Sequence, residues 1–531
     1  MVAEKLNSSF NWPAPLLLCN LKKTGGFIER KTLMPLRAIF YSPVTTKVLS
    51  LFFLGFAAGI PILLIFSTLS LWLNEAGVSK SEVTYFSWAA LGYSFKFIWA
   101  PIVDKLPLPI LTKTFGRRRG WLLLSQTAVI FSILLMSSID PIYGLSAMAF
   151  AAVLLGFSSA TQDIVVDSYR IECATEEEQR IIASSYISGY RIGMLVAGAG
   201  GLFLAEYFGS TSSEYLYPAW QKAYWAMATV MLIGMITTLC VSEPDLNVDN
   251  NVYAYSTADY VRFFLVFLLS IAVLVVVYRI FPLAGNSGST LINSLIGVLK
   301  LSVSISAGVA TSFVCSNLGI TNKKMVRESY LDPIGDFFYR YGNLAIWILL
   351  LIGFYRVSDI VMGVVANLFY QDMGYSKTEI ASVTKVFGVL MTITGTFAGG
   401  FIALKIGTMR TLLIGAVLAS LSNLVFSWLS LSGNNTIEAL TMAIAIDNLS
   451  AGLAVSAFVA WLSSLTSISF TATQYAIFSS IMTLFPKVFG GYSGTMVEFA
   501  GYSQFFIFTA LLGIPIIILI LALSRWLETK S

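Results

Sequence analysis

The 531-residue chain contains no histidine and only four cysteines, Cys19, Cys173, Cys240 and Cys315. Without histidine, Ser-His-Asp and Cys-His catalysis and histidine proton relays are excluded, so any protons must be carried by Asp or Glu. The cysteines have neither metal-ligand spacing nor the pattern of a disulfide framework. We therefore expect no metal site, no cofactor and no enzymatic activity.

Charged residues are also scarce, at 11% of the chain, whereas soluble domains carry about 25%. Hydrophobic residues make up 56% and the mean hydropathy is +0.78. The chain holds many runs of the roughly 20 apolar residues that a helical span needs, and the short alternating strands of a β-barrel are not seen. The composition indicates an all-α polytopic membrane protein. The net charge of +5 does not indicate a nucleic-acid partner, because Lys and Arg collect at helix ends on one side.

The apolar runs predict fourteen membrane helices. They cover about 48–73, 83–103, 121–139, 143–167, 181–207, 219–242, 260–283, 288–318, 343–370, 379–404, 410–431, 437–465, 473–497 and 501–526. Basic residues concentrate in the loops after the second and fourth helices and before residue 343. By the positive-inside rule these loops and both termini are cytoplasmic. Residues 1–47 read as a basic cytoplasmic tail rather than a signal peptide, because the first long apolar run begins near Val48.

An internal repeat divides the chain. Gly77-Val-Ser-Lys-Ser-Glu-Val83 recurs as Gly374-Tyr-Ser-Lys-Thr-Glu-Ile380, in each case between the first and second helix of a half. The two copies have the same topology, so the repeat is parallel. This pattern resembles major facilitator transporters, in which two six-helix halves are related by a pseudo-two-fold axis along the membrane normal.

The predicted domains follow from this repeat. We expect a tail at 1–47, a first half at 48–242, a linker at 243–342, a second half at 343–526 and a cytoplasmic end at 527–531. The linker contains two extra hydrophobic helices, which bring the total to fourteen. Because these two helices carry few internal charges, Arg279 and Lys300, we expect them to be structural padding.

The stretch Gly156 to Arg170 is the first candidate site. It continues an apolar run, so Gln162, Asp163 and Asp167 are predicted to lie at or near the cytoplasmic end of the fourth helix. Asp163 and Asp167 are spaced i,i+4 and share a face. Charges in a membrane helix are costly and usually functional, so we interpret Gln162 and Asp163 as functional residues. For Asp167, an i,i+3 ion pair with Arg170 is an equally weighted alternative.

Other polar residues fall inside predicted membrane helices of both halves. They are Lys96, Arg191, Arg356, Asp359, Lys385, Asp447 and Asn448. Such residues line a cavity between the halves or form buried structural ion pairs, and Arg356 with Asp359 has i,i+3 spacing. The bases would suit an anionic substrate and the carboxylates would suit proton coupling. The aromatic residues that could stack on sugar rings, or serve as interface and core residues instead, are Trp72, Trp88, Trp99, Tyr93, Tyr190 and Trp461.

The loop after the second helix carries Asp104-Lys105 and Gly116-Arg117-Arg118-Arg119. It resembles the cytoplasmic signature of major facilitators, although Ala100 replaces the leading glycine and ten residues separate Lys105 from Gly116. Such a loop can close a cytoplasmic gate through ion pairs that break on opening. The alternative is a basic loop that only sets the orientation.

Seven stretches spread over both halves resemble the AmpG-type muropeptide permeases, a major facilitator family. They are Gly55–Pro61, Phe95–Pro101, Gly116–Trp121, Ala160–Asp167, Gly189–Leu195, Ser456–Ala460 and Phe470–Gln474. Ala160, Gln162 and Asp163 match a stretch on which the family depends, and Gly59 lies in another. The long N-terminal tail and the helix pair between the halves depart from the family pattern.

The resemblance implies import of anhydro-muropeptides, which are cell-wall fragments bearing sugar and peptide, across the bacterial inner membrane from periplasm to cytoplasm. It also implies coupling to protons. The expected partners are this small-molecule substrate, protons and membrane lipid, and we expect a monomer. The alternatives are an acetyl-coenzyme A transporter of the same superfamily, a polytopic membrane transferase, and a non-transporting sensor with the same fold.

Overall fold

A computed structural model describes residues 43–79, 86, 91–211, 214–244, 255–280, 290–432, 436–490 and 493–528. The first six helices are α1 (Pro43–Ile65, continued by Ser67–Glu75), α2 (Leu91–Phe95, Lys96–Ile98 and Ala100–Lys105), α3 (Arg117–Ser137), α4 (Pro141–Glu172), α5 (Glu176–Leu195, continued to Gly201–Tyr207) and α6 (Tyr217–Cys240). The inserted pair is α7 (Thr257–Ile280) and α8 (Thr290–Asn317).

A broken helix, α9 (Lys323–Val326, Arg327–Leu331 and Asp332–Tyr341), connects the inserted pair to the second group of six. That group consists of α10 (Leu344–Phe354 and Val357–Asp372), α11 (Lys377–Ile380, Ala381–Phe387 and Gly388–Ile406), α12 (Thr408–Ser432), α13 (Ile437–Leu465), α14 (Thr471–Gly490) and α15 (Ser493–Leu511, continued by Gly513–Glu528). The fold is all-α, as the composition predicts.

Thirteen of the described helices are long and apolar enough to cross a membrane. The second predicted helix is missing from the thirteen because residues 80–85 and 87–90 lie outside the described part of the chain. Several predicted boundaries are wrong by five residues or more, among them the starts of α1 and α5, which lie at Pro43 and Glu176 rather than at 48 and 181. The fourth helix continues past residue 167 to Glu172. The helix predicted at 473–497 is described as far as Gly490, and the next described helix begins at Ser493, eight residues before the predicted start at 501.

Helices α1 and α5 make a very close backbone contact. A Cβ atom on Gly55 or Gly59 would collide with the backbone carbonyl oxygens of Tyr186 and Tyr190. From the other side, a Cβ on Gly189 or Gly193 would meet carbonyls of α1. Gly59, which the family resemblance singles out, is therefore a position where only glycine lets the two helices approach this closely.

The second and fourth helices of each group also approach through glycine. In the first group, a Cβ on Gly92 of α2 would lie 3.2 Å from the Gly156 carbonyl oxygen of α4. In the second group, Gly395 of α11 abuts the Leu449 carbonyl, and Gly452 of α13 abuts the Thr392 carbonyl. The parallel repeat read from the loops is therefore accompanied by matching glycine contacts inside the bundle.

The inserted pair packs against the bundle. Tyr260 and Phe263 of α7 share an apolar core with residues of α2 and α14. On α9, the Tyr330 hydroxyl donates to the Ile98 carbonyl of α2 (3.3 Å), and Glu328 accepts a hydrogen bond from Tyr255 (2.6 Å). Residues of α7 and α9 thus pack against helices of the bundle.

Candidate functional site

A buried ion-pair cluster joins the ends of α2, α3 and α4. Arg118 Nη2 donates to Asp104 Oδ1 (2.8 Å) and Glu172 Oε1 (2.5 Å), and its Nε donates to Glu172 Oε2 (3.0 Å). The Arg118 side chain is 1% exposed, and both carboxylates are also buried. We call this group, with Thr471 and Thr473, the Arg118 cluster. The end of the bundle that carries it is called the basic end.

The Arg118 cluster extends into the second half at the first turn of α14. The backbone N–H groups of Ala472 and Thr473 donate to Asp104 (3.2 and 2.8 Å), as does the Thr473 hydroxyl (2.8 Å). Thr471 accepts from Arg118 Nη2 (2.7 Å) and donates to Glu172. A carboxylate at a helix N-terminus is stabilised by the unpaired N–H groups there. Asp104 therefore joins a positive charge of one half to a helix start of the other.

The loop between Lys105 and Gly116 folds back so that Arg118 reaches Asp104. A short helix, Leu111–Phe115, ends at Gly116, whose φ of +94° favours glycine. Trp121 Nε1 donates to the Leu106 carbonyl (2.9 Å). Glu243 then caps α3 by accepting from the backbone N–H of Arg118 (2.7 Å). The ten-residue separation is thus accommodated without moving Arg118 away from Asp104.

The other predicted gate residues surround this centre. Arg117 donates to the Asp104 carbonyl (3.2 Å) and lies 3.5 Å from Glu172. Arg119 instead donates to carbonyls at the end of α6. The Lys105 ammonium lies 5.4 Å from the Phe470 ring centre, which is a further contact with the second half.

Arg170 forms a second connection between the halves. It is fully buried, and its Nη1 donates to Ser463 of α13 (2.7 Å) and to Gln179 of α5 (3.1 Å). Its Nη2 lies 3.3 Å from Asp167 Oδ1, and Lys96 Nζ lies 3.7 Å from Asp167 Oδ2. The structure therefore contains the i,i+3 ion pair that was the alternative interpretation of Asp167, and it adds Lys96 as a second cation.

Gln162 and Asp163 are also buried on α4, but their hydrogen bonding differs from that of Asp167 and Arg170. Within the described part of the chain, both polar side-chain atoms of Gln162 and Oδ1 of Asp163 lack a hydrogen-bond partner. Lys96 and Asp167 lie within electrostatic range of Asp163. We call Gln162 and Asp163 the α4 pair. Because α4 extends to Glu172, the pair lies inside the helix, about 14 Å before its end at 1.5 Å per residue, which is farther from the end than the predicted position at or near it.

Small and aromatic residues flank the α4 pair. Ala160 is fully buried. The Tyr93 hydroxyl donates to Ser159 (2.7 Å), and Tyr190 lies within electrostatic range of Asp163. Of the other candidate aromatic residues, Trp72 stacks on Trp220 elsewhere in the first half. Trp99 donates to Thr161, Trp461 is buried in an apolar core of the second half, and Trp88 lies outside the described residues.

The charges of the second half form a separate group. Arg356, at the break in α10, lies 2.6 Å from Asp359, so the predicted i,i+3 pair is present. Arg191 of α5 lies within electrostatic range of both residues. Asp447 accepts from Ser422 (3.0 Å), and Asn448 accepts from Thr392 (2.9 Å). The Lys385 side chain lies outside the described residues.

Sequence reasoning missed several partners of these groups, namely Glu172, Gln179, Ser463, Thr471 and Thr473. The stretch Phe470–Gln474 carries a family resemblance, but a single sequence gives no signal that pairs it with Asp104, which lies 369 positions earlier. Among the described residues, no group of three or more potential ligands could hold a metal ion.

The sequence model of the Major Facilitator Superfamily matches residues 51–356. The putative transporter AmpG 4 of Rickettsia felis is 31% identical, over 90% of this chain and 97% of the relative. The anhydromuropeptide permease of Escherichia coli K12 is 30% identical, over 90% of this chain and 80% of the relative.

Solved structures with a similar fold are more distant in sequence. The proton:xylose symporter XylE has a TM-score of 0.58 at 13% identity, with 90% of this chain and 94% of that chain covered. The Escherichia coli fucose:proton symporter FucP has a TM-score of 0.53 at 11% identity, with 91% and 98% covered. At these identities the likeness concerns the fold alone.

Proposed function

Because the chain belongs to the major facilitator superfamily and to its AmpG-type permeases, we propose that it imports anhydro-muropeptides together with protons. The substrate enters from the periplasm and is released into the cytoplasm by alternating access. A relative at 30% identity over most of both chains is named an anhydromuropeptide permease, and that name supports the substrate class.

The observation that carries the proposal is the unpartnered α4 pair. A buried polar group without a hydrogen bond is costly, so such groups are kept where a ligand, water or proton completes them. The Gln162 amide can both donate to and accept from sugar hydroxyl or acetamido groups. Lys96, Arg191 and Arg356 supply positive charge for a peptide carboxylate.

Protons are assigned to carboxylates because the chain contains no histidine. Asp163 has an Oδ1 atom without a partner in the described structure, which leaves it free to exchange a proton as the substrate binds. Asp359 is paired with Arg356. A proton on Asp359 would release Arg356 for the substrate, so the two carboxylates would couple proton binding to substrate binding in each half.

The Arg118 cluster supplies the cytoplasmic gate. By the positive-inside rule the basic end faces the cytoplasm. The contacts of Asp104, Glu172 and Arg170 with α13 and α14 then hold the cytoplasmic ends of the two halves together. Release of substrate on that side requires these contacts to break, which is the ion-pair exchange used by many two-state proteins.

Uptake in proteoliposomes tests the function. With an acidic exterior, the protein should accumulate labelled anhydro-disaccharide-peptide, and a protonophore should abolish the accumulation. The free peptide without sugar should enter far more slowly. Uptake that ignores the pH gradient would contradict the coupling, and preference for acetyl-coenzyme A would contradict the substrate.

A further inference from the structure

A cavity lies between the inserted helices and the bundle, and no residue of α4 lines it. Its volume is about 310 Å³, and α2, α7, α8, α9 and α14 all contribute to its wall. Most of the lining is apolar, as in Phe97, Pro101, Phe267, Val309, Tyr330 and Ile477. The cavity is therefore unlike a sugar-peptide site, which needs convergent polar groups.

The residues around the cavity include exposed apolar side chains, as expected for a surface that faces lipid. Helix α7 exposes Leu265, Leu268 and Leu269 on its outer side. Helix α9 contributes Val326, Tyr330, Leu331 and Ile334 to the cavity wall.

Helix α9 combines an inner apolar face with exposed basic and apolar residues, as an interfacial helix does. Lys323 and Lys324 are exposed one turn before the lining residues, and Leu331 and Ile334 are 58% and 47% exposed. Lys324 lies 3.7 Å from Glu328, and Arg327 lies 3.1 Å from Asp332. Lys323 therefore supplies the excess positive charge beside the apolar lining.

We propose that this cavity binds one acyl chain of an anionic phospholipid from the cytoplasmic leaflet, with its phosphate near Lys323 and Lys324. The apolar wall suits a hydrocarbon chain. Water fits poorly, because an ordered buried water needs about two to four polar partners. The Ser270 hydroxyl is the buried polar side-chain atom of the wall that lacks a partner in the described structure. The basic residues of α9 complement an anionic head group.

The position of the cavity connects lipid binding to the Arg118 cluster. Thr473 lines the cavity and also donates to Asp104. Tyr330, also in the wall, donates to α2. Helices α2 and α14 belong to different halves, so the wall is complete only while the basic end is closed. A lipid that binds this state better shifts the equilibrium toward it. This gives the inserted pair a regulatory role, and the lipid site does not depend on the identity of the transported substrate.

Lipid binding to the purified full-length protein tests the proposal. Native mass spectrometry is performed with phosphatidylglycerol and, separately, with phosphatidylcholine of the same acyl chains. The unmodified protein should retain one phosphatidylglycerol with at least tenfold higher affinity than Ser312→Phe, which fills the cavity from α8. The matched control is Ser306→Phe on the exposed side of the same helix, which should bind as the unmodified protein does.

The head-group assignment is tested by the double substitution Lys323→Ala and Lys324→Ala. This variant should lose the preference for phosphatidylglycerol over phosphatidylcholine. Equal affinity of the unmodified protein for the two lipids would overturn the anionic assignment. Unchanged phosphatidylglycerol binding by Ser312→Phe would overturn the cavity assignment.

Photolabelling provides a test that needs no substitution. A phosphatidylglycerol with a diazirine in its acyl chain should label cavity residues such as Phe267 and Tyr330. Labelling confined to the outer residues Leu265 and Leu268 would overturn the proposal, since it would show only the surrounding bilayer.

Discussion

Helix α4 contributes to two buried polar groups, through Glu172 to the Arg118 cluster and through Gln162 and Asp163 to the α4 pair, and the carboxylates of the two groups differ in their partners. In the Arg118 cluster at the end of α4, each carboxylate accepts hydrogen bonds from Arg118 and from the second half. In the α4 pair, closer to the middle of the bundle, three polar atoms have no partner within the described structure. The carboxylates of the first group have cationic and hydrogen-bonding partners without a ligand, although Nη1 of Arg118 has no partner within the described structure. In the second group, Oδ1 of the carboxylate and both polar atoms of the amide have none.

Because of this difference, we expect the Arg118 cluster to contribute mainly to folding stability and the α4 pair mainly to transport. In the Arg118 cluster the buried charges compensate one another, so the loss of one partner leaves an uncompensated buried charge. An incomplete polar pair destabilises the empty protein and gains its partners when a ligand binds. We therefore expect a substitution in the Arg118 cluster to lower mainly the free energy of unfolding, and a substitution in the α4 pair to lower mainly uptake.

The largest expected effect is on folding, for Arg118→Ala. Loss of this guanidinium leaves Asp104 and Glu172 buried without their cation, so the free energy of unfolding should fall by about 3–5 kcal/mol. Chemical unfolding in mixed micelles measures it. The matched control is Arg117→Ala, which removes a side chain that is 27% exposed and should cost about 1 kcal/mol or less. Equal losses in the two variants would contradict the central position of Arg118.

The next effect is on transport, for Asp163→Asn. The amide cannot cycle a proton, so accumulation against a gradient should fall at least tenfold, equivalent to about 1.4 kcal/mol. The free energy of unfolding should change by less than about 1 kcal/mol, because Oδ1 of Asp163 has no partner to lose. Uptake and counterflow exchange are measured on the same proteoliposomes.

Asp359→Asn is the companion variant in the second half. It should also lose accumulation, although it additionally releases Arg356 from its ion pair. Normal accumulation by both Asp163→Asn and Asp359→Asn would show that neither carboxylate couples protons.

The smallest effect concerns the contact between the halves, for Thr473→Val. This change removes the hydroxyl bond to Asp104 and keeps the backbone bond, at a cost of about 1 kcal/mol. The population with an open basic end should rise about fivefold. Spin labels at Thr114 and Thr408 measure the opening. The control, Thr466→Val, removes a hydroxyl that bonds within its own helix to Leu462 and should leave the distance distribution unchanged.

Local patterns in the sequence predicted a large part of this architecture. Hydropathy located the helices, and i,i+3 spacing predicted the Arg356–Asp359 pair. The same spacing offered the Asp167–Arg170 pair as an alternative. The end of α4 was predicted wrongly because Arg170 was interpreted as a loop charge. In the structure the helix continues to Glu172, and Arg170 and Glu172 have buried partners on other helices. A hydropathy profile uses only neighbouring residues in the sequence, so it does not include a buried partner on another helix.

Contacts between segments that are distant in the sequence could not be predicted from the sequence alone. The Arg118 cluster was predicted as a loop motif, but its partners on α14 depend on how the halves meet. Gly59 was singled out only through the family resemblance, and its physical reason, the close approach of α1 and α5, became visible with the helices in place. The lack of hydrogen bonds at the α4 pair is likewise a property of packing.

The burial of the Arg118 cluster determines how ionic strength acts on the protein. Arg118, Asp104 and Glu172 are at most 4% exposed, so mobile ions cannot surround them while the basic end is closed. Salt screens exposed charges over about 8–10 Å in physiological solutions, and it screens buried pairs much less. In the proposed gating, separation of the halves exposes the same charges to water and salt. We therefore expect added salt to favour the open form, whose charges it screens, and to leave the closed ion pairs nearly unchanged.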